Sequence, residues 1–167
     1  MKRWIMIVAL LVIVGAPDTV QAQADITALT AAARQGDPAA QKQLGVLYAS
    51  GEGVVQDYAA ARRWWSMAAG QEDAGARYNL GVMYESGLGV TVDLAAAARW
   101  YALSAGQGDA MARFRLGLLY ESGRGVPQDD AQAFSLYRQA AKQGLADAQN
   151  SLGRMYEMGR GAYSELI

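Results

Sequence analysis

The sequence predicts an all-α protein, a right-handed α-solenoid of stacked helix pairs with a 36-residue period. Three observations lead there. Leu44, Gly45, Tyr48, Gly51 and Gly53 recur as Leu80, Gly81, Tyr84, Gly87 and Gly89, as Leu116, Gly117, Tyr120, Gly123 and Gly125, and as Leu152, Gly153, Tyr156, Gly159 and Gly161, with no insertion or deletion between copies. Within each copy the apolar residues fall at helical spacing. The three full copies also carry helix start and stop signals. A fixed period of this size marks a stacked array in which a unit buries its apolar face only against its neighbours.

The elements follow in order. Lys2 and Arg3 precede an apolar run from Trp4 to Val14, and small residues surround Ala22 and Ala24. This layout predicts a secretory signal peptide over residues 1–22, cleaved after Ala22 or Ala24. The apolar run is short of the roughly 20 residues that span a bilayer, so contact with a membrane is expected only through this segment before cleavage. The mature chain is then periplasmic or secreted. An uncleaved N-terminal anchor is the alternative. Residues 25–36 read as an unpaired capping helix, with Asp25 as N-cap, Ile26, Leu29 and Ala33 on one face, and Gly36 as its stop.

Full repeats are expected over 37–72, 73–108 and 109–144. In the first, Asp37 caps a helix that has Pro38 at its first position, where the missing N–H is tolerated. Its inward stripe is Ala40 or Gln41, Leu44, Gly45 and Tyr48, and Gly51 terminates it in the left-handed conformation. A second helix begins at Asp57, whose carboxylate suits the positive end of the dipole, and Asp93 and Asp129 repeat the signal. Ala61, Trp65 and Ala68 share a face of it, echoed by Ala97, Tyr101 and Ser104 and by Ala133, Tyr137 and Ala140. Glycine inside a helix costs about 0.5–1 kcal/mol relative to alanine. The recurrence of Gly45, Gly81, Gly117 and Gly153 therefore implies a close approach by an aromatic ring, whose burial is worth on the order of 4–6 kcal/mol before entropy. Residues 145–167 supply a partial fourth repeat, first helix only, and a tail. Leu152, Tyr156, Leu166 and Ile167 would leave an apolar edge there, a route to self-association through the unpaired C-terminal helix.

Composition narrows the function. The formal net charge is -1 and no long run of one sign occurs, which argues against nucleic acid as a partner. With no Cys and no His, thiol chemistry, the commonest general base and the commonest metal ligands are missing. No cofactor, metal or catalytic residue is expected. Gly-x-Gly at 51–53, 87–89 and 123–125 follows a helix and lacks the strand and third glycine of a dinucleotide fingerprint, so these are loops. Ser50, Ser86 and Ser122 recur three times without a base and read as helix-end residues.

The recurring residues resemble the Sel1-like repeat, a relative of the tetratricopeptide repeat. In the first unit the matching residues are Ala40, Leu44, Gly45, Tyr48, Gly51, Gly53, Val54, Asp57, Ala61, Trp64, Trp65, Ala68 and Ala69. The second unit has Ala76, Val90, Asp93, Ala97, Trp100, Tyr101, Ser104 and Ala105 around its glycines. The third has Ala112, Val126, Asp129, Ala133, Leu136, Tyr137, Ala140 and Ala141, with Leu136 departing from the tryptophan. The resemblance covers nearly all of the mature chain. It implies a helical superhelix acting as an adaptor, with exported bacterial relatives associated with envelope assembly, signalling regulation and host contact.

Such arrays bind extended partners along the face of their first helices, offset from the packing stripe. Projecting that face selects Lys42, Val46, Tyr78, Val82, Glu85, Met111, Phe114, Leu118, Glu121, Asn150 and Arg154 as partner-binding residues. The middle is apolar and the rims are charged. Glu85, Glu121 and Glu157 sit near helix C-termini, where the dipole disfavours them, so another role holds them there. The alternative for Tyr78 and Phe114 is packing against adjacent helices. The expected function is a non-catalytic, exported scaffold or regulator that binds a protein or peptide. The alternatives are an inhibitor or accessory protein of a cell-wall enzyme and, from another class, a hydrolase using Glu85 and Glu121.

Overall fold

The computed structural model describes the backbone of residues 17–160 and side chains from residue 23 onward. Among the described residues eight helices follow one another: α1 (Pro17–Arg34), α2 (Pro38–Ser50), α3 (Tyr58–Gly70), α4 (Ala74–Ser86), α5 (Leu94–Gly106), α6 (Ala110–Ser122), α7 (Asp130–Lys142) and α8 (Ala146–Glu157). No strand occurs among the described residues. Contacts run overwhelmingly between successive helices, so the protein is an α-solenoid of helix pairs α2/α3, α4/α5 and α6/α7, with α1 in front and α8 behind. The apolar run Trp4–Val14 and the tail with Gly161, Leu166 and Ile167 lie outside the described residues.

Local chemistry sets each boundary. The Asp37, Asp73 and Asp109 carboxylates accept from the backbone N–H groups of Ala39 (2.9 Å), Ala76 (2.7 Å) and Ala112 (2.8 Å) at the starts of α2, α4 and α6. Asp57, Asp93 and Asp129 do the same for α3, α5 and α7. The fourth unit breaks the rule, since Leu145 holds the cap position of α8 and offers no side-chain acceptor. Gly51, Gly87 and Gly123 end the first helices at φ 80°, 70° and 66°. The Asp57, Asp93 and Asp129 N–H groups then donate back to the carbonyls of Tyr48, Tyr84 and Tyr120, tying each loop to the helix it leaves.

One boundary differs from expectation. Helix α1 is described from Pro17 onward, so Asp25 lies inside it rather than at its first turn, and both expected cleavage points fall within it. Thr19 to Ala24 contain no helix breaker.

The core is a row of small clusters. Ala33, Ala40 and Leu44 form the front one. Trp65 is packed among Ala68, Ala76, Leu80 and Met83, Tyr101 among Ala105, Ala112, Leu116 and Leu119, and Tyr137 beside Phe134 and Met155. The mid-helix glycines explain how the rings fit. A Cβ on Gly81 would lie 2.5 Å from Tyr101 Cε1 and one on Gly117 2.6 Å from Tyr137 Cε1, while one on Gly45 would collide with the Trp65 indole. Among the described residues no side chain lies within 4 Å of a Cβ placed on Gly153. The second glycine of the second and third Gly-x-Gly pairs makes a different close approach, to the start of the preceding helix pair's second member: Gly89 rests on Tyr58 and Gly125 on Leu94.

Candidate interaction face

Helices α4, α6 and α8 lie side by side, because Arg115 of α6 reaches Glu85 of α4 (3.7 Å) and Arg154 of α8 reaches Glu121 of α6 (3.8 Å). Lys42 of α2 likewise reaches Asp73, the cap of α4, at 3.4 Å. One side of the array is therefore built from first helices, as the repeat pattern requires. The projected residues spread along it unevenly.

Val46 and Met111 are exposed, at 44% and 38% of their full surface. Tyr78, Val82, Phe114 and Leu118 are half-buried against the clusters around Tyr101 and Tyr137. Tyr78 tilts onto Tyr101 with ring centres 5.7 Å apart, and Phe114 onto Tyr137 at 5.8 Å. Each of these two rings packs one face on a neighbouring ring and keeps part of its surface accessible. Asn150 and Arg154 are exposed, and Arg154 also approaches Ser151 Oγ at 3.3 Å.

The displaced glutamates have a structural occupation. Glu85 Oε2 accepts from the Tyr101 hydroxyl at 2.6 Å, and Glu121 Oε2 accepts from Tyr137 at 2.7 Å. Burial, together with the hydrogen bond to the carboxylate and its charge, pushes both phenols far above their usual range, so each keeps its proton and donates. Glu157 is exposed at the end of α8.

A pocket of about 560 Å³ brings Glu85, Leu118, Glu121 and Arg154 together with Arg115, Arg124 and Arg160. Lys42, Val46, Tyr78, Val82, Met111, Phe114 and Asn150 lie outside its lining. Arg160 is clasped by Asp130, with two hydrogen bonds of 2.8 and 2.7 Å that hold the Asp130 carboxyl below its usual range. Projection of a single helix face missed Arg115, which sits one position beyond Phe114, and missed Arg124 and Arg160, which lie outside the helices. A usable signal existed in the spacing. Glu85 with Arg115, and Asp130 with Arg160, are opposite charges 30 residues apart, the separation that also joins Gln41 to Gln71.

Among the described residues no cluster of carboxylates could hold a metal ion. Nor is any helix there long and apolar enough to cross a membrane.

The model of the Sel1 repeat matches residues 38–73, 74–109, 110–145 and 146–164. Among solved structures, a protective antigen of uropathogenic Escherichia coli displaying an SLR fold is similar over 84% of this chain, at 38% identity and a TM-score of 0.80. A Sel1 repeat protein from Oxalobacter formigenes is similar over 81%, at 41% identity and 0.76. The chain spans 30% and 40% of those two proteins' own length. Helicobacter pylori cysteine rich protein B shares the fold over 80% of this chain and 96% of its own, at 22% identity and 0.64. No curated protein matches significantly. Four family-model matches in tandem, three of them on helix pairs built around a glycine-facing ring, establish that the chain belongs to the Sel1 repeat family, whose members are generally protein-interaction modules.

Proposed function

We propose that this chain is a non-catalytic, exported scaffold or regulator that binds a protein or peptide segment along the side made by α2, α4, α6 and α8. One observation carries the reading. After the packing needs of the repeat are met, that side still presents apolar surface from every full unit, at Val46, at Tyr78 and Val82, and at Met111, Phe114 and Leu118. Such a strip, with Lys42 and Arg154 toward its ends, suits an extended segment with alternating apolar residues better than it suits a small molecule. The signal-like start supports export, and a relative described as a protective antigen is compatible with it.

The test is positional cross-linking in cells. A photo-reactive residue at Met111 or Val46 is expected to trap a discrete partner, whereas one at Met67, equally exposed on the second helix α3, traps none. Equal trapping at all three positions, or none at Met111 and Val46, rejects the first-helix side as the binding surface. Fractionation of the tagged protein tests location, and retention in the cytoplasm would refute export.

A further inference from the structure

The arginine pocket supplies chemistry that the apolar strip lacks. Arg115, Arg124, Arg154 and Arg160 face Glu85 and Glu121 across it. Asp130 occupies the Arg160 fork, and both glutamates are engaged by buried phenols. Arg115 and Arg154 approach those glutamates only at 3.7 and 3.8 Å, too far for a direct hydrogen bond, and the buried Nε–H of Arg115 has no acceptor. The Arg124 guanidinium has neither an ion pair nor a hydrogen bond among the described residues. Arg115 is also hydrogen-bonded to Tyr78, and Arg154 donates to Ser151 Oγ at 3.3 Å. The exposed Arg124 and Arg154 are thus the forks that bring N–H groups without a carboxylate acceptor to the cavity, which Leu118 and Leu119 also line.

The charge count selects the ligand. Four guanidinia against two glutamates and the Asp130 carboxylate leave a single positive charge. A monoanion neutralises it, while a dianionic phosphate would meet Glu85 and Glu121 at close range. Planar carboxylates match the guanidinium fork. The pocket also shares Leu118 with the apolar strip, so a peptide lying on that strip would bring its own groups to the arginines. We infer that this pocket captures a carboxylate of the bound segment, from an Asp or Glu side chain or from the segment's own C-terminus; the inference rests on the scaffold reading above.

The probes are three short peptides: acetyl-Leu-Glu-Leu-amide, acetyl-Leu-Gln-Leu with a free C-terminus, and acetyl-Leu-Gln-Leu-amide. Inorganic phosphate is the competitor, and arginine Nε–H resonances are the readout. Either carboxylate peptide is expected to shift the Arg124 and Arg154 signals saturably, about fivefold more tightly than the amide control. Which of the two binds tells a side-chain carboxylate from a terminal one. The difference should vanish in an Arg124→Gln/Arg154→Gln variant whose melting temperature is retained, both residues being largely solvent-facing. Equal binding of all three peptides, or displacement of the peptide by an equal concentration of phosphate, overturns the inference. Arginine signals that respond to no probe overturn it too, and leave the scaffold reading to the cross-links at Met111, which do not depend on this pocket.

Discussion

Unit one and unit two place a large ring against the same mid-helix glycine but settle the ring's polar atom differently. In unit one the Trp65 indole N–H donates to the backbone carbonyl of Lys42 at 3.1 Å, and the position matching Glu85 is Ala49. In units two and three the ring is tyrosine, and its hydroxyl donates to Glu85 or Glu121. The main chain can serve an indole because every helix carries carbonyls; a phenol reaching the other end of the helix needs a side chain supplied for it. The shared glycine therefore fixes the architecture, and the local handle decides which extra residue a unit must carry. By committing Glu85 and Glu121 to buried tyrosines, units two and three also bring charge to the face that unit one leaves apolar at Ala49.

The sharpest way to break the comparison is to remove the space for the ring. Gly81→Ala places a methyl 2.5 Å from a fully buried Tyr101, and overpacking of this kind should cost about 1–3 kcal/mol in chemical denaturation. Gly153→Ala, where no side chain among the described residues faces the new methyl, should instead gain about 0.5–1 kcal/mol from helix propensity. The same sign for both would refute the ring-space account. Next in size, Tyr101→Phe removes a bond to a carboxylate and should lose about 1.5 kcal/mol.

The phenol has a pH signature as well. Tyr101 and Tyr137 have folded pKa values raised above the ordinary 10.0, so the unfolded protein releases these protons first and the stability they contribute, complete below pH 10.0, declines as pH rises above it. A Tyr101→Phe/Tyr137→Phe variant should show a shallower fall in melting temperature on that alkaline limb; an unchanged slope would show that these phenols do not govern it.

Two smaller changes use the repeats as one another's controls. Leu145→Asp restores the cap that Asp37, Asp73 and Asp109 give their helices, and about 1 kcal/mol of added stability is expected. Glu72 holds a left-handed conformation, φ 68°, where Gly36, Gly108 and Gly144 stand in the other units. Glu72→Gly should gain about 0.5–1 kcal/mol, the relief of backbone strain being partly offset by a more flexible unfolded state. A loss there would mean that the 3.8 Å pair with Arg77 contributes more than its exposed setting suggests.

Most of the fold was legible because its determinants are local and repeated. Asp57, Gly51 and Gly45 each state their function within a few residues of the helix they begin, end or thin, and repetition removes chance from the pattern. The helical course of α1 through Ala22 and Ala24 was not legible, since the residues there satisfy a small-residue cleavage motif and a helix equally well. The interaction face was legible in part. Helix periodicity selected Val46 and Met111, and the dipole argument singled out Glu85 and Glu121 as misplaced, yet neither could name Tyr101 or Tyr137 as the cause. That contact joins two helices across a turn, and the arginine pocket joins three units and a loop, so no single helical projection contains them.

The division of the core into four small clusters has a mechanical consequence. Each helix leans chiefly on the ones before and after it, so a slight rotation at one junction is opposed elsewhere mainly by ion pairs between units, and such rotations accumulate toward the ends. The array is thereby compliant in bending while every helix stays intact, which lets a strip of fixed composition adjust its curvature to the contour of what lies on it.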